Sequence, residues 1–379
     1  NGNGSTVARS QAPGTVDFRI FEVDGPGKLT LDRVTTTGGR SSEGGGILVD
    51  HGGTLTLNHS RVDHNTVTAP GTKGFGGGIS NNNRSTLTVN SSRLDDNSVG
   101  DATLAGGGGL HEDNDSRSTV NSTRVDHNSV QASAVAVGGG IALNFGSGAR
   151  TMALHNSQVE DNVVTATDSG PMVLARGGGI EHNGTTLTLS GSRVTRNTAS
   201  AVGGAALGGG IHMLSAQNGQ PFPGGHLTLT SSQVTGNTAS GSRAGGGGTS
   251  SELGATKTTS IQVTSNTVRA LGNEGGDGAG IENLKRPEPT VPAPTLSMTT
   301  TQVHGNALTA SGAPGCGGGL FNSGSVTAER SIITGNTATG TPAQGGGVFN
   351  AKDLSLVQSI VSGNVPDNRV DGTAASCKR

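Results

Sequence analysis

Short stretches of alternating polar and apolar residues recur along the whole chain, most clearly at Thr54-Leu55-Thr56-Leu57 and Thr186-Leu187-Thr188-Leu189. A period of two places Leu55 and Leu57 on one face of an extended strand and Thr56 on the other. Each stretch is followed by a second signal, Ser-x-Val-x-x-Asn or a close variant of it. Its asparagines are Asn65, Asn97, Asn128, Asn162, Asn197, Asn237, Asn266, Asn306, Asn336 and Asn364. Three positions before each stands an aliphatic residue: Val62, Leu94, Val125, Val159, Val194, Val234, Val263, Val303, Ile333 and Val361. The mean spacing of about 33 residues is the mark of a repeat architecture.

A third signal is a glycine triplet followed by an aliphatic residue, as in Gly76-Gly77-Gly78-Ile79 and Gly177-Gly178-Gly179-Ile180. Two copies are degraded, Gly246-Gly247-Gly248-Thr249 and Gly278-Ala279-Gly280-Ile281. Each unit thus holds three strand signals separated by turns and no useful stretch of helical period. The pattern predicts an all-β, single-domain, right-handed parallel β-helix of about ten coils with three parallel sheets. The hand follows from the strong preference for right-handed connections between parallel strands, and a coil that cannot bury its apolar face alone makes stability cooperative along the stack. The asparagines are expected to take the left-handed position of a tight turn and to form a ladder of amides. The triplets are expected where a Cβ would clash.

The repeats run over residues 28–365, with Lys28 to Thr35 as a partial first coil. Residues 1–27 form an N-terminal segment and cap, in which Val16 to Val23, with Phe18 and Phe21, is expected to close the open end of the core. Residues 366–379 form a C-terminal tail. The chain starts at Asn1 with no apolar leader in view, as a removed signal or a trimmed chain would leave it.

The two anchors, Gly-Gly-x-Ile and Val-x-x-Asn, resemble the repeats of bacterial polymorphic outer-membrane proteins. Similar repeats occur in secreted actinobacterial β-helix proteins. The resemblance implies a secreted or cell-surface protein with an adhesive or carbohydrate-associated role. No autotransporter barrel accompanies these repeats, so a free secreted module is the expectation.

Composition narrows the partners. Residues of the apolar set make up 30% of the 379, Gly contributes 67, and there are seven Phe but no Trp or Tyr. The interior must therefore be narrow and filled with small and β-branched side chains, and tight stacking on sugar rings is disfavoured. The regular Leu, Ile and Val positions argue against disorder. A net charge of −2 gives no reason to expect nucleic acid, and no apolar run is long enough for a membrane helix. Cys316 and Cys377 lie about 10 Å apart along a stack with a spacing of about 4.8 Å per coil. The tail can fold back to bring them within the roughly 7 Å a disulfide needs, so a bridge closing the C-terminal end and two free thiols are both open.

Three columns could carry function. The residue after each inward aliphatic is expected to face solvent, giving a column that includes Ser80, His111, Glu181, His212, Ser250 and Glu282. Within it, Glu181, His212 and Glu282 are the candidate catalytic set, since a His near two carboxylates can do acid–base work on a polysaccharide. His111 and Ser250 are candidate binding residues. Two insertions, Ala216 to Gly225 with Phe222 and Lys285 to Pro294, would wall a groove beside them. The second column is acidic, Asp63, Asp95, Asp126 and Glu160, beside outward Arg61, Arg93 and Arg124. It reads as a surface ion ladder, with Ca²⁺ between carboxylates as the alternative and the arginines as candidate ligand contacts. Asp95-Asp96 is reminiscent of paired aspartates in β-helix glycosidases, but their accompanying motifs are missing. The third column is the Thr-x-Thr face, which ice-binding β-helices also display; here Ala153, His226 and Lys257 interrupt it.

The function expected from these features is a non-catalytic secreted β-helix that binds or adheres to an extracellular surface, with a glycan as the expected ligand. A polysaccharide lyase or hydrolase working in a groove is the enzyme alternative, and ice binding a minor one. No cofactor is required, and oligomeric state is open.

Overall fold

The computed structural model describes residues 2–143, 150–184, 186–214, 216–217, 220–221, 225–286 and 292–377. The chain is a right-handed parallel β-helix. One coil shows the plan. Ile79–Asn81 belongs to sheet I, Thr86–Asn90 to sheet II and Arg93–Asp95 to sheet III. The three sheets have 12, 11 and 12 strands among the described residues, and every pairing between coils is parallel. Leu, Ile, Val and Met side chains from all three, among them Ile79, Leu87, Val89 and Leu94, fill one continuous core.

The expected three sheets are joined by a fourth. After each ladder asparagine the chain runs outward, folds back and returns to the next glycine triplet, as in Ser98–Gly106 and the longer Val163–Arg176. These arms stack in parallel as sheet IV, with 13 strands among the described residues. Their outgoing and returning limbs enclose a second, smaller core of Val67, Ala69, Val99, Ala102, Ala105 and their successors. Alanine and valine suffice there because the limbs lie so close that a Cβ on Gly74 would stand 2.9 Å from Val67 and 3.2 Å from Ala69.

The triplets are where arm, sheet I and sheet III converge. Gly76 takes a positive φ of 67°. A Cβ on Gly77 would lie 2.5 Å from the Gly108 carbonyl oxygen, and one on Gly78 2.9 Å from Asn97 Nδ2. The backbone can pass only bare.

The asparagine ladder is continuous. Asn65 Nδ2 donates to Asn97 Oδ1 at 3.0 Å, and the same bond is made from Asn128 to Asn162 at 3.0 Å and from Asn162 to Asn197 at 2.9 Å. It recurs down to Asn336 and Asn364. Each Oδ1 also accepts from the preceding rung's backbone N–H, and each Nδ2 gives its second hydrogen to a carbonyl of the coil before, as Asn97 does to Val62 at 2.9 Å. The left-handed conformation falls one residue earlier than expected, on His64, Asp96, His127, Asp161 and Arg196, each with φ between 52° and 56°. The bend therefore belongs to the preceding residue, and it leaves the Asn amide aimed along the stack. A second ladder sits at the corner between sheets II and III. There the Ser60 N–H donates to Ser92 Oγ at 3.0 Å and the Ser92 N–H to Thr123 Oγ1 at 3.2 Å.

Both ends differ from a simple cap and tail. Phe21–Val23 is already a strand of sheet I, and Ser5–Ala8 adds a strand to sheet III. Phe18 stays exposed. At the other end Arg369–Asp371 extends sheet I, and a short 3-10 turn, Ala374–Cys377, folds over it. Cys377 is joined to Cys316 by a disulfide with the Cα atoms 6.0 Å apart, and the two pack with Phe321, Phe349 and Leu284. Among the described residues no helix is long and apolar enough to cross a membrane.

Candidate functional site

The column after the inward aliphatics has the expected register. Glu181 pairs with His212, His212 with Ser250, and Ser250 with Glu282 in successive coils. Its exposure is the reverse of what was expected. Ser80, His111, Glu181, His212, Ser250 and Glu282 are each at most 1% accessible. The side chains do leave the main core, but the returning limb of sheet IV folds against this face of sheet I and covers it. A Cβ on Gly245, just before its triplet, would lie 2.6 Å from the Glu282 carboxylate. Phe75 from the limb stacks on His111 with ring centroids 4.6 Å apart.

Burial makes the column a sealed network. His212 Nδ1 is 2.7 Å from Glu181 Oε2, and its Nε2 faces Glu252 Oε2 at 4.0 Å. Arg176, at the end of an arm, stands 3.8 Å from Glu181 Oε1. Arg286, at the start of the second insertion, donates from Nε to Glu252 at 2.8 Å. One coil on, Ser250 Oγ donates to Glu282 Oε2 at 2.6 Å and Arg243 to Glu282 Oε1 at 2.9 Å, with Asp277 3.5 Å from Arg243. Burial pushes the Glu282 carboxyl up, against the opposing pull of Arg243. Burial would raise Glu252 as well, but Arg286, His212 and Arg243 outweigh it and hold it down to about 2. The structure thus brings Glu181 and His212 into contact and gives Glu282 a different set of partners. A group sealed at this level has no path to a polymer; Glu181 and Glu282 face Arg176 and Arg243 of the arm, and His212 links neighbouring coils. Arg176, Glu252, Arg243 and Arg286 were missed in the sequence. Glu252 was within reach, since it lies two positions beyond Ser250 and so on the same strand face. Phe222 and residues 287–291 lie outside the described residues, and so does any wall they would form.

The acidic column is also less exposed than expected. Asp63, Asp95, Asp126 and Glu160 are buried beneath arginines that stay partly open. Each arginine reaches the carboxylate of the next coil. Arg61 chelates Asp95, Arg93 donates to Asp126 from Nε at 3.0 Å, and Arg124 Nε lies 2.7 Å from Glu160. This is the ion ladder, with its carboxylate oxygens directed at guanidinium groups. Among the described residues no three His, Cys, Asp or Glu side chains gather as a metal site.

The same arginines border an open groove of about 530 Å³ that runs along the helix axis at the corner of sheets II and III. Arg61, Arg93, Arg124, Ser92, Asn156 and Gln158 line it. Rigid strands set its floor, and Arg61, Arg93 and Arg124 have side chains 39–42% exposed.

No family model matches this sequence, and no curated protein matches it. Among solved structures, the crystal structure of pectate lyase Pel9A is similar over 93% of this chain and 74% of its own, at 13% identity and a TM-score of 0.28. A likeness of that size assigns this chain no chemistry.

Proposed function

We propose that this protein is a non-catalytic, extracellular β-helix that binds a linear glycan along the outer face of sheet III. The groove carries the reading. It is open, lies parallel to the axis, and repeats its donors once per coil at about 4.8 Å, so a polymer with a regular repeat meets the same side chains again at each step. The Cys316–Cys377 bridge fits an oxidising compartment, and the resemblance of the repeats to polymorphic outer-membrane proteins fits a surface role. Burial of Glu181, His212 and Glu282 favours binding over cleavage at that column. A glycan array followed by a reducing-end assay on every hit tests both halves. Hits without cleavage support the proposal. Cleavage of a hit, or the absence of any hit, overturns it.

A further inference from the structure

The outward side chains of sheet III form one unbroken track. Pairing between coils places Arg61, Arg93, Arg124, Gln158, Arg193, Gln233, Gln262 and Gln302 in a single file. Every member is a long side chain ending in a planar, hydrogen-bonding group, guanidinium at Arg61, Arg93, Arg124 and Arg193 and carboxamide at Gln158, Gln233, Gln262 and Gln302. Beside it run Asp63, Asp95, Asp126 and Glu160, followed by Thr195, Thr235, Thr264 and His304. A third file, at the left-handed turn, holds Asp96, Asp161 and Arg196.

The charge on this face cancels. Six guanidinium groups (Arg33, Arg61, Arg93, Arg124, Arg193, Arg196) stand against six carboxylates (Asp63, Asp95, Asp96, Asp126, Glu160, Asp161) when His is taken as neutral. Four of the cations are also engaged. Arg61 contacts both Asp63 and Asp95, Arg93 both Asp95 and Asp126, and Arg124 both Asp126 and Glu160. Arg196 bonds Asp161 through Nε at 2.9 Å and Glu160 through Nη2 at 2.8 Å. At these four an anionic polymer would have to displace the carboxylates from their partners, which leaves uncompensated charge and costs more than a new surface pair returns. From Gln233 to Gln302 the file offers no charge at all. Amides and the remaining guanidinium hydrogens are suited instead to hydroxyl groups, which donate and accept at once.

We infer that the track selects an uncharged, polyhydroxylated polymer and rejects acidic ones; this rests on the glycan-binding reading above. The test is calorimetry with matched oligosaccharide ladders, neutral (mannan, xylan and glucan oligomers) and uronic acid (oligogalacturonate and alginate oligomers), at 50 and 500 mM NaCl. The expected result is that neutral ligands bind, that affinity rises with chain length, and that it changes less than about twofold between the two salt concentrations, since ion pairing with a polyanion would instead be strongly screened. The double variant Gln233→Ala, Gln262→Ala alters only half-exposed and exposed side chains, and it should cut affinity for long neutral oligomers about tenfold with unchanged thermal unfolding. Binding of the acidic ladder with steep salt dependence, or full affinity in the double variant, overturns this inference and leaves glycan binding standing. Binding by neither ladder overturns both.

Discussion

Nδ1 of His212 lies 2.7 Å from Oε2 of Glu181, and the two side chains are 0% and 1% exposed. An acid–base pair of this geometry in an open cleft would be a catalytic site. Under the returning arm it is a tie between coils.

Replacing His212 by Ala should therefore destabilise the protein. A buried group left without its hydrogen-bond partner typically costs about 1–3 kcal/mol. Urea unfolding should show a lower midpoint, while glycan affinity of the folded fraction stays unchanged. A variant as stable as the parent would show that the pair contributes nothing to that tie.

An interior rung of the asparagine ladder should matter more than the last one. Asn162→Ala leaves the Asn128 N–H without its acceptor and takes one hydrogen bond each from Asn128 Nδ2, the Val125 carbonyl and Asn197 Oδ1. Each buried group left unpaired costs about 1–3 kcal/mol, so the variant is expected to unfold at a much lower denaturant concentration or to fail to fold. Asn364→Ala, at the edge of the stack, should lose far less. Equal midpoints for the two would count against the ladder as a source of stability.

Glu112 points into the main core, fully buried, with Ser118 and Asn81 beside it to offset part of the loss of water. Burial pushes it up to about 8 from 4.5. Between those values the folded state holds a proton that the unfolded chain has released. Its contribution to stability is thus fully present below about pH 4.5 and is lost as the pH rises through about 8. Glu112→Gln should flatten stability across that window and raise it at pH 8 by about 1–3 kcal/mol. Denaturant midpoints at pH 5 and pH 8 give the comparison, and an unchanged slope would mean that another group sets it.

Chelation should leave the melting temperature unchanged, because arginines hold the carboxylates of Asp95, Asp126 and Glu160. A drop reversed by added Ca²⁺ would overturn the ion ladder as a complete account of that column.

Reduction of Cys316–Cys377 should release the tail first. The bridge spans 61 residues, a loop for which the stabilisation is typically about 2–5 kcal/mol. Hydrogen exchange should rise early at residues 369–377, before the central coils respond. Uniform exchange along the helix on reduction would contradict a local role for the bridge.

The fold was legible because its determinants are periodic. Val62, Leu94 and Val125 announce a column, and Asn65, Asn97 and Asn128 another, without any knowledge of the third dimension. The arm was not legible. Its sequences, such as Ser129–Val137, vary in length from coil to coil and carry small residues that serve a core or a loop equally well. Missing the arm also reversed the exposure of His111, His212 and Glu282, because alternation tells which face of a strand a side chain leaves and nothing about what lies over that face. The arginine and acid columns were correctly set side by side, but their depth depended on rotamers that spacing does not encode.

The asparagine amides all point the same way. Each passes a hydrogen from its own coil to the oxygen of the next, so their dipoles add along the stack. The series is closed by the chain itself. Gly39 supplies the first donor to Asn65, and Asn368 provides the last acceptor for Asn364. A repeat copied into the interior inherits a donor above and an acceptor below, and needs no further change to join the column. One added beyond either closing residue finds that partner already engaged. Growth of such a molecule by duplication is therefore open in the middle and resisted at its termini.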